Sequence, residues 1–139
     1  MAFRRNVSRV VLAAVVAVVG VVVTAEPAAA AGAVCPYPYV CFYSGHYGES
    51  GSTINGKFQV VTSGFQPITG TSRFSSSIVN TRHDDVAYVR FSDNKVICLP
   101  HAHYLGGGAW EPTWYDTDND FPQRYINGVK ISSKPTCWT

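Results

Sequence analysis

Four cysteines, Cys35, Cys41, Cys98 and Cys137, limit what this 139-residue chain can fold into more than any other feature. An even cysteine count in a small exported domain reads as a disulfide framework that supplements a modest core. Three pairings are open to four cysteines. Cys35–Cys41 with Cys98–Cys137 is the preferred one, because Cys35 and Cys41 enclose Pro36 and Pro38, which favour a tight local loop, and the other two have no nearer partners. Zinc is the rival reading of Cys98, His101 and His103, but no second ligand pair stands at a recognised spacing.

Export is read from the N-terminus. The first nine residues carry Arg4, Arg5 and Arg9 and no acid, and the apolar run Val10–Val23 follows. That run is shorter than the roughly 20 residues a membrane span needs. Small residues from Ala28 to Ala33 then offer cleavage sites after Ala30, Ala31 or Ala33. Residues 1–31 are expected to be a signal peptide and residues 32–139 a single secreted domain, monomeric and free of the membrane after cleavage.

Removing the leader takes three of the eleven basic residues and one of the nine acidic ones, leaving eight of each. A near-neutral domain without a Lys/Arg cluster does not point to nucleic acid.

Beyond the leader no segment repeats apolar residues at helical spacing, whereas short β-branched and aromatic runs recur between Gly, Pro, Ser and Asn. The domain is expected to be all-β. Strands are expected at Val40–Ser44, Lys57–Thr62, Ser76–Thr81, Val86–Phe91, Lys95–Leu99, Trp110–Tyr115 and Gly128–Ser132. Turns are expected at Asn55-Gly56, Ser92-Asp93-Asn94, Gly106-Gly107-Gly108 and Asn127-Gly128. In the hairpin "VAYVRFSDNKVICL" the set Ala87, Val89 and Phe91 is the expected core face. An internal repeat, "CFYSGHYG" from Cys41 and "CLPHAHYLG" from Cys98, suggests two similar four-stranded halves and puts His46 and His103 in equivalent places.

The pieces Cys35-Pro36, Cys41-Phe42-Tyr43, Tyr47-Gly48, Ser76-Ser77-Ile78-Val79-Asn80 and Cys98-Leu99 resemble the secreted βγ-crystallin-like peptidase inhibitors typified by the Streptomyces metalloproteinase inhibitor. The resemblance covers about residues 34 to 137. It implies a βγ-crystallin-like Greek-key sandwich of two similar halves, in which a serine of a later strand pins an aromatic hairpin corner. It also implies inhibition of an extracellular, thermolysin-type metalloproteinase through a substrate-like bond matched here by Cys98–Leu99. Leu99 would then fill the specificity pocket, with Pro100 and His101 on the primed side and the Cys98 disulfide holding the segment in its bound shape. An apolar residue in an alternating strand is equally read as core. The hairpin motifs are one residue short of the family's usual spacing, and Thr71-Ser72 and Arg124-Tyr125 stand where calcium-binding members carry Asn or Asp.

Asp116, Asp118 and Asp120 alternate as at the start of an EF-hand loop, but Phe121 and Asn127 occupy positions that loop needs for glycine and glutamate. They are at most a weak cation candidate in a solvated loop. No H-E-x-x-H or G-x-S-x-G motif is present, and His83 in "RHDD" has no identifiable nucleophile, so the chain is not expected to be an enzyme and no cofactor is called for. His101 and His103 would share a strand face and take up a metal only weakly. Two rivals to inhibition follow. One is a cell-envelope binding module stacking glycan or a protein partner on Trp110, Trp114, Tyr115 and Trp138. The other is a small secreted toxin-like protein on the same fold. An exposed Cys98–Leu99 segment would favour inhibition. A buried Leu99 beside exposed tryptophans would favour the binding module.

Overall fold

A computed structural model describes residues 32–117 and 125–138. Among these residues the chain forms antiparallel β-sheets and one short 3-10 helix, Gly70–Phe74. The strands are β1 (Val40–Tyr43), β2 (Ile54–Phe58), β3 (Gln66–Pro67), β4 (Ser77–Asn80), β5 (Val86–Phe91), β6 (Val96–Leu99), β7 (His103–Gly106), β8 (Ala109–Glu111), β9 (Thr113–Asp116) and β10 (Ile126–Ser132).

Two four-stranded sheets carry the domain, one ordered β2-β1-β4-β9 and the other β3-β10-β5-β6, while β7 and β8 form a separate hairpin. Set side by side, the orders correspond. β1, β2 and β4 take the places in the first sheet that β5, β6 and β10 take in the second, and β3 and β9 each cross to the sheet of the other half. The structural repeat therefore pairs β1 with β5. This corrects the repeat read from the cysteines, because Cys98 lies in β6, the counterpart of β2 rather than of the β1 that holds Cys41. His46, in the β1–β2 connection, and His103, in the extra hairpin, are likewise not equivalent.

The inner faces meet in one core. Val40, Phe42 and Ile78 come from the first sheet, and Ala87, Val89, Phe91, Leu99, Ile126, Val129 and Ile131 from the second. The expected core face of the β5–β6 hairpin is the observed one. In β10 a register shift between Ile126 and Gly128 lets Ile126 and Val129 face the same side although three positions apart.

The stiff segment around Cys35–Tyr39 covers the outer face of the first sheet. Cys35 is bonded to Cys41, and this pair packs with Tyr43 and Val79 under Tyr39, Tyr47 and Ile54. That cover explains why all four residues of β1 and of β4 are buried. The second disulfide, Cys98–Cys137, ties the C-terminal tail to β6.

Two expected turns are not turns. Asn55-Gly56 lies within β2 and Asn127-Gly128 within β10. A Cβ on Gly56 would stand 2.4 Å from the Ser72 hydroxyl, and one on Gly128 would stand 3.1 Å from Phe65 Cβ. Each glycine lets a neighbouring segment cross close over the strand. The expected strand Trp110–Tyr115 is divided at Pro112 into β8 and β9, and the strand expected from Lys57 begins at Ile54. The triple-glycine turn is present, with positive φ at Gly106, Gly107 and Gly108.

Candidate functional site

The site begins with a buried asparagine. Asn80 ends β4 with no exposure, and its side-chain amide donates to the carbonyls of Asp85 (3.0 Å) and Pro100 (2.9 Å) while its Oδ1 accepts from the Arg82 amide (3.1 Å). The next residue, Thr81, donates its hydroxyl to the carbonyls of Pro36 and Tyr39. Arg82 then pairs with Asp85, its Nε 2.6 Å from Oδ2, and donates from Nη1 to the carbonyls of Pro38 and Gln59. The Ala102 amide closes the set on the Arg82 carbonyl at 2.7 Å. Three segments far apart in sequence, 36–39, 80–85 and 100–102, are thus joined into one base.

Aromatic rings stand on that base. His83 is stacked between Tyr37, at 4.1 Å between centroids, and Trp110, at 3.7 Å with the planes 7° apart. Tyr104 tilts against Trp110 at 4.9 Å. Beside them is a concavity of about 210 Å³ lined by Tyr37, Tyr47, His83, Trp110 and Pro112, with Cys35 and Ala102 among its other walls. It is smaller than the roughly 300–1,000 Å³ of drug-sized ligand sites, so it accommodates a single ring-sized group. Among the described residues no Asp, Glu, Lys or Arg lines it, which suits an uncharged one.

Trp110 is 38% exposed and Trp114 58%. Trp114 pairs across β4 with Val79, so both face the outer side of the first sheet, where Cys35 and Tyr47 also lie. Tyr115, expected on the same face, instead pairs with Ile78 and packs against the main core, because neighbouring residues on a strand point to opposite sides. Trp138 is on the other sheet, edge-on to Tyr88 at 5.4 Å. The face is therefore built from Trp110 and Trp114 with Tyr37, His83 and Tyr104, three residues that sequence reasoning did not assign to it. The proline-tyrosine run and the "RHDD" string stood out, but nothing in their spacing brings them together.

Cys98 and Leu99 lie in β6, at the edge of the second sheet. Leu99 pairs with Ala87 and is 3% exposed, so its side chain belongs to the core and is not presented to an outside pocket. The next residue, Pro100, is exposed, and its carbonyl accepts from Asn80 and from the Thr113 hydroxyl. The four cysteines are paired as Cys35–Cys41 and Cys98–Cys137, which is consistent with an extracellular or otherwise oxidising location.

Asp116 Oδ2 lies 3.2 Å from His46 Nδ1, and Asp118 and Asp120 lie outside the described residues. Among the described residues no three His, Cys, Asp or Glu side chains are grouped to hold a metal. His101 precedes β7 and His103 opens it, so the two do not share one strand. Beneath the site, the hydroxyl of fully buried Tyr43 makes no well-formed hydrogen bond among the described residues. Burial, reinforced by neighbouring Tyr47 and only partly offset by the Cys35 backbone, pushes its pKa up to about 12.

No family model matches this chain, and neither does any curated protein or solved structure.

Proposed function

We propose that the chain is a secreted, non-enzymatic binding module of βγ-crystallin type that takes a cell-envelope glycan on the aromatic face around Trp110 and Trp114. The single observation that carries this reading is the contrast in exposure: both tryptophans are open on one side of the first sheet, whereas Leu99 is in the core. Exposed rigid rings offer apolar faces to sugars at little ordering cost. The uncharged, ring-sized concavity beside Trp110 suits one neutral sugar unit.

Three features support the crystallin-type Greek key. The third strand of each half crosses to the other sheet. Tyr43 and Tyr47 meet edge-on at 5.6 Å in the β1 corner. Ser76 and Ser77 donate their hydroxyls to the Ser44 and Gly45 carbonyls, pinning that corner.

The test is a titration of the oxidised mature domain with cell-wall polysaccharide and its soluble oligosaccharides, followed by tryptophan fluorescence. Binding that weakens roughly tenfold in Trp110→Ala and in Trp114→Ala is the expected result. Absence of binding, or binding indifferent to both substitutions, overturns the reading.

A metalloproteinase inhibitor is the second reading. It is favoured by one observation: β6 is an edge strand braced by Cys98–Cys137, an arrangement suited to holding an extended segment. It requires β6 to leave β5 before a protease can reach the Cys98–Leu99 bond. Tight inhibition of a thermolysin-type enzyme, with a slow nick between Cys98 and Leu99, would put this reading first.

A further inference from the structure

The outer face of the second sheet has a different chemistry from the aromatic face. Its strands β3, β5, β6 and β10 contain no Asp or Glu, but they contain Arg90 and Lys130. Both alternate outward, since their strand neighbours Val89, Phe91, Val129 and Ile131 fill the core. The two cations come from adjacent strands and share one aromatic ring: the Arg90 guanidinium lies 4.7 Å from the centroid of Phe65, and the Lys130 ammonium lies 5.5 Å from it.

Lys130 is also 4.5 Å from the Tyr88 ring, and Arg90 donates from Nε to the Asn127 side-chain oxygen at 2.9 Å. Rings and a neutral amide are their partners, and among the described residues no carboxylate pairs with either. Two like charges sharing one ring repel each other, and a bound anion would relieve that repulsion.

The backbone is shaped for this arrangement. A Cβ on Gly128 would stand 3.1 Å from Phe65 Cβ and 3.4 Å from an Arg90 guanidinium nitrogen, so the glycine lets the ring and the cation lie close over β10. Trp138 is fixed alongside, its amide donating to the Tyr88 hydroxyl at 3.3 Å and its chain end tied by Cys98–Cys137. Held by rings, the cations keep their N–H groups available, and a guanidinium beside an ammonium is suited to an oxyanion.

We infer that Arg90 and Lys130, seated on Phe65 over Gly128, form a binding site for a sulfate or phosphate group, separate from the aromatic face on the other sheet. The ligand can be the free anion or the same group carried as an ester on an extracellular polymer.

The full oxidised domain is titrated at low salt with sodium sulfate, sodium phosphate, dextran sulfate and uncharged dextran, with heat of binding as the readout. Fluorescence in a Trp110→Phe, Trp114→Phe background, where Trp138 is the remaining tryptophan, reports events at the site itself. Dextran sulfate binding without dextran binding is expected, weakening roughly tenfold in Lys130→Met and again in Arg90→Gln, and falling as salt rises. Binding of the inorganic anions as well identifies a free-anion site, and binding of the polymer alone identifies an ester site. If the Arg90 variant fails to fold, Lys130→Met alone decides, since it keeps the apolar stem over Phe65 and Tyr88. Absence of binding by every anion, or undiminished binding by folded Lys130→Met, overturns the inference.

Discussion

His83 lies flat on Trp110, with 3.7 Å between ring centroids and 7° between planes, although the two residues are carried by different elements. The contact holds the β7–β8 hairpin, which belongs to neither large sheet, against the connection between β4 and β5. Stacked aromatic pairs contribute about 0.5–1.5 kcal/mol beyond their buried area. Without it Trp110 would keep its chemistry and lose its position.

The Arg82–Asp85 pair should be the most sensitive point of that connection. Its side chains are 12% and 8% exposed, so removing one partner leaves a charge without solvent or counter-charge. Asp85→Ala is expected to cost about 3 kcal/mol or more, read as a drop in the denaturant midpoint. Asp84→Ala, at an exposed position, should cost less than about 0.5 kcal/mol.

Leu99 should behave as a core residue. Leu99→Ala is expected to destabilise the domain by about 2–5 kcal/mol by chemical denaturation, as truncation of a buried leucine does. A Leu99→Ala protein of unchanged stability would place the side chain outside the core.

The two disulfides should contribute unequally. Cys98–Cys137 spans a sequence separation of 39 against 6 for Cys35–Cys41, and the entropy lost from the unfolded chain grows with loop length. Replacing Cys98 and Cys137 by alanine is expected to cost about 4 kcal/mol, and replacing the shorter pair about 2 kcal/mol. Thermal unfolding of the two double variants gives the comparison.

Tyr43 makes alkaline stability predictable. Its folded pKa, near 12, lies above the unfolded value of 10.0, so the folded state retains a proton that the unfolded state loses. Stability should be unaffected well below pH 10 and fall above it, at up to ~1.4 kcal/mol per pH unit until the folded group itself ionises. Tyr43→Phe should remove this part of the decline. It should also be neutral or stabilising at pH 7, because the buried hydroxyl it deletes makes no well-formed hydrogen bond among the described residues.

Strands whose pattern is local were legible without coordinates. Val86–Phe91 alternates cleanly, and Val40 and Phe42 face inward as such a pattern requires. The glycines of Asn55-Gly56 and Asn127-Gly128 were misleading because a turn and a close crossing demand the same missing side chain, and only the distant partners Ser72 and Phe65 distinguish them. The aromatic face was half legible. Exposed tryptophans were expected, but the direction of Tyr115 depends on where Pro112 restarts the strand, and His83 reaches Trp110 only through the folding of Arg82 and Asp85.

The exchange of β3 and β9 between the sheets also has a consequence for biosynthesis. Strand β10, the last among the described residues, occupies an interior position between β3 and β5, so β3 has no neighbour in its sheet until β10 is made. A chain that lacks β10 cannot close the core between the sheets, and the Cys98–Cys137 bond must wait for Cys137. Closure of the core and formation of that bond are therefore expected to come together, once β10 and Cys137 are both available.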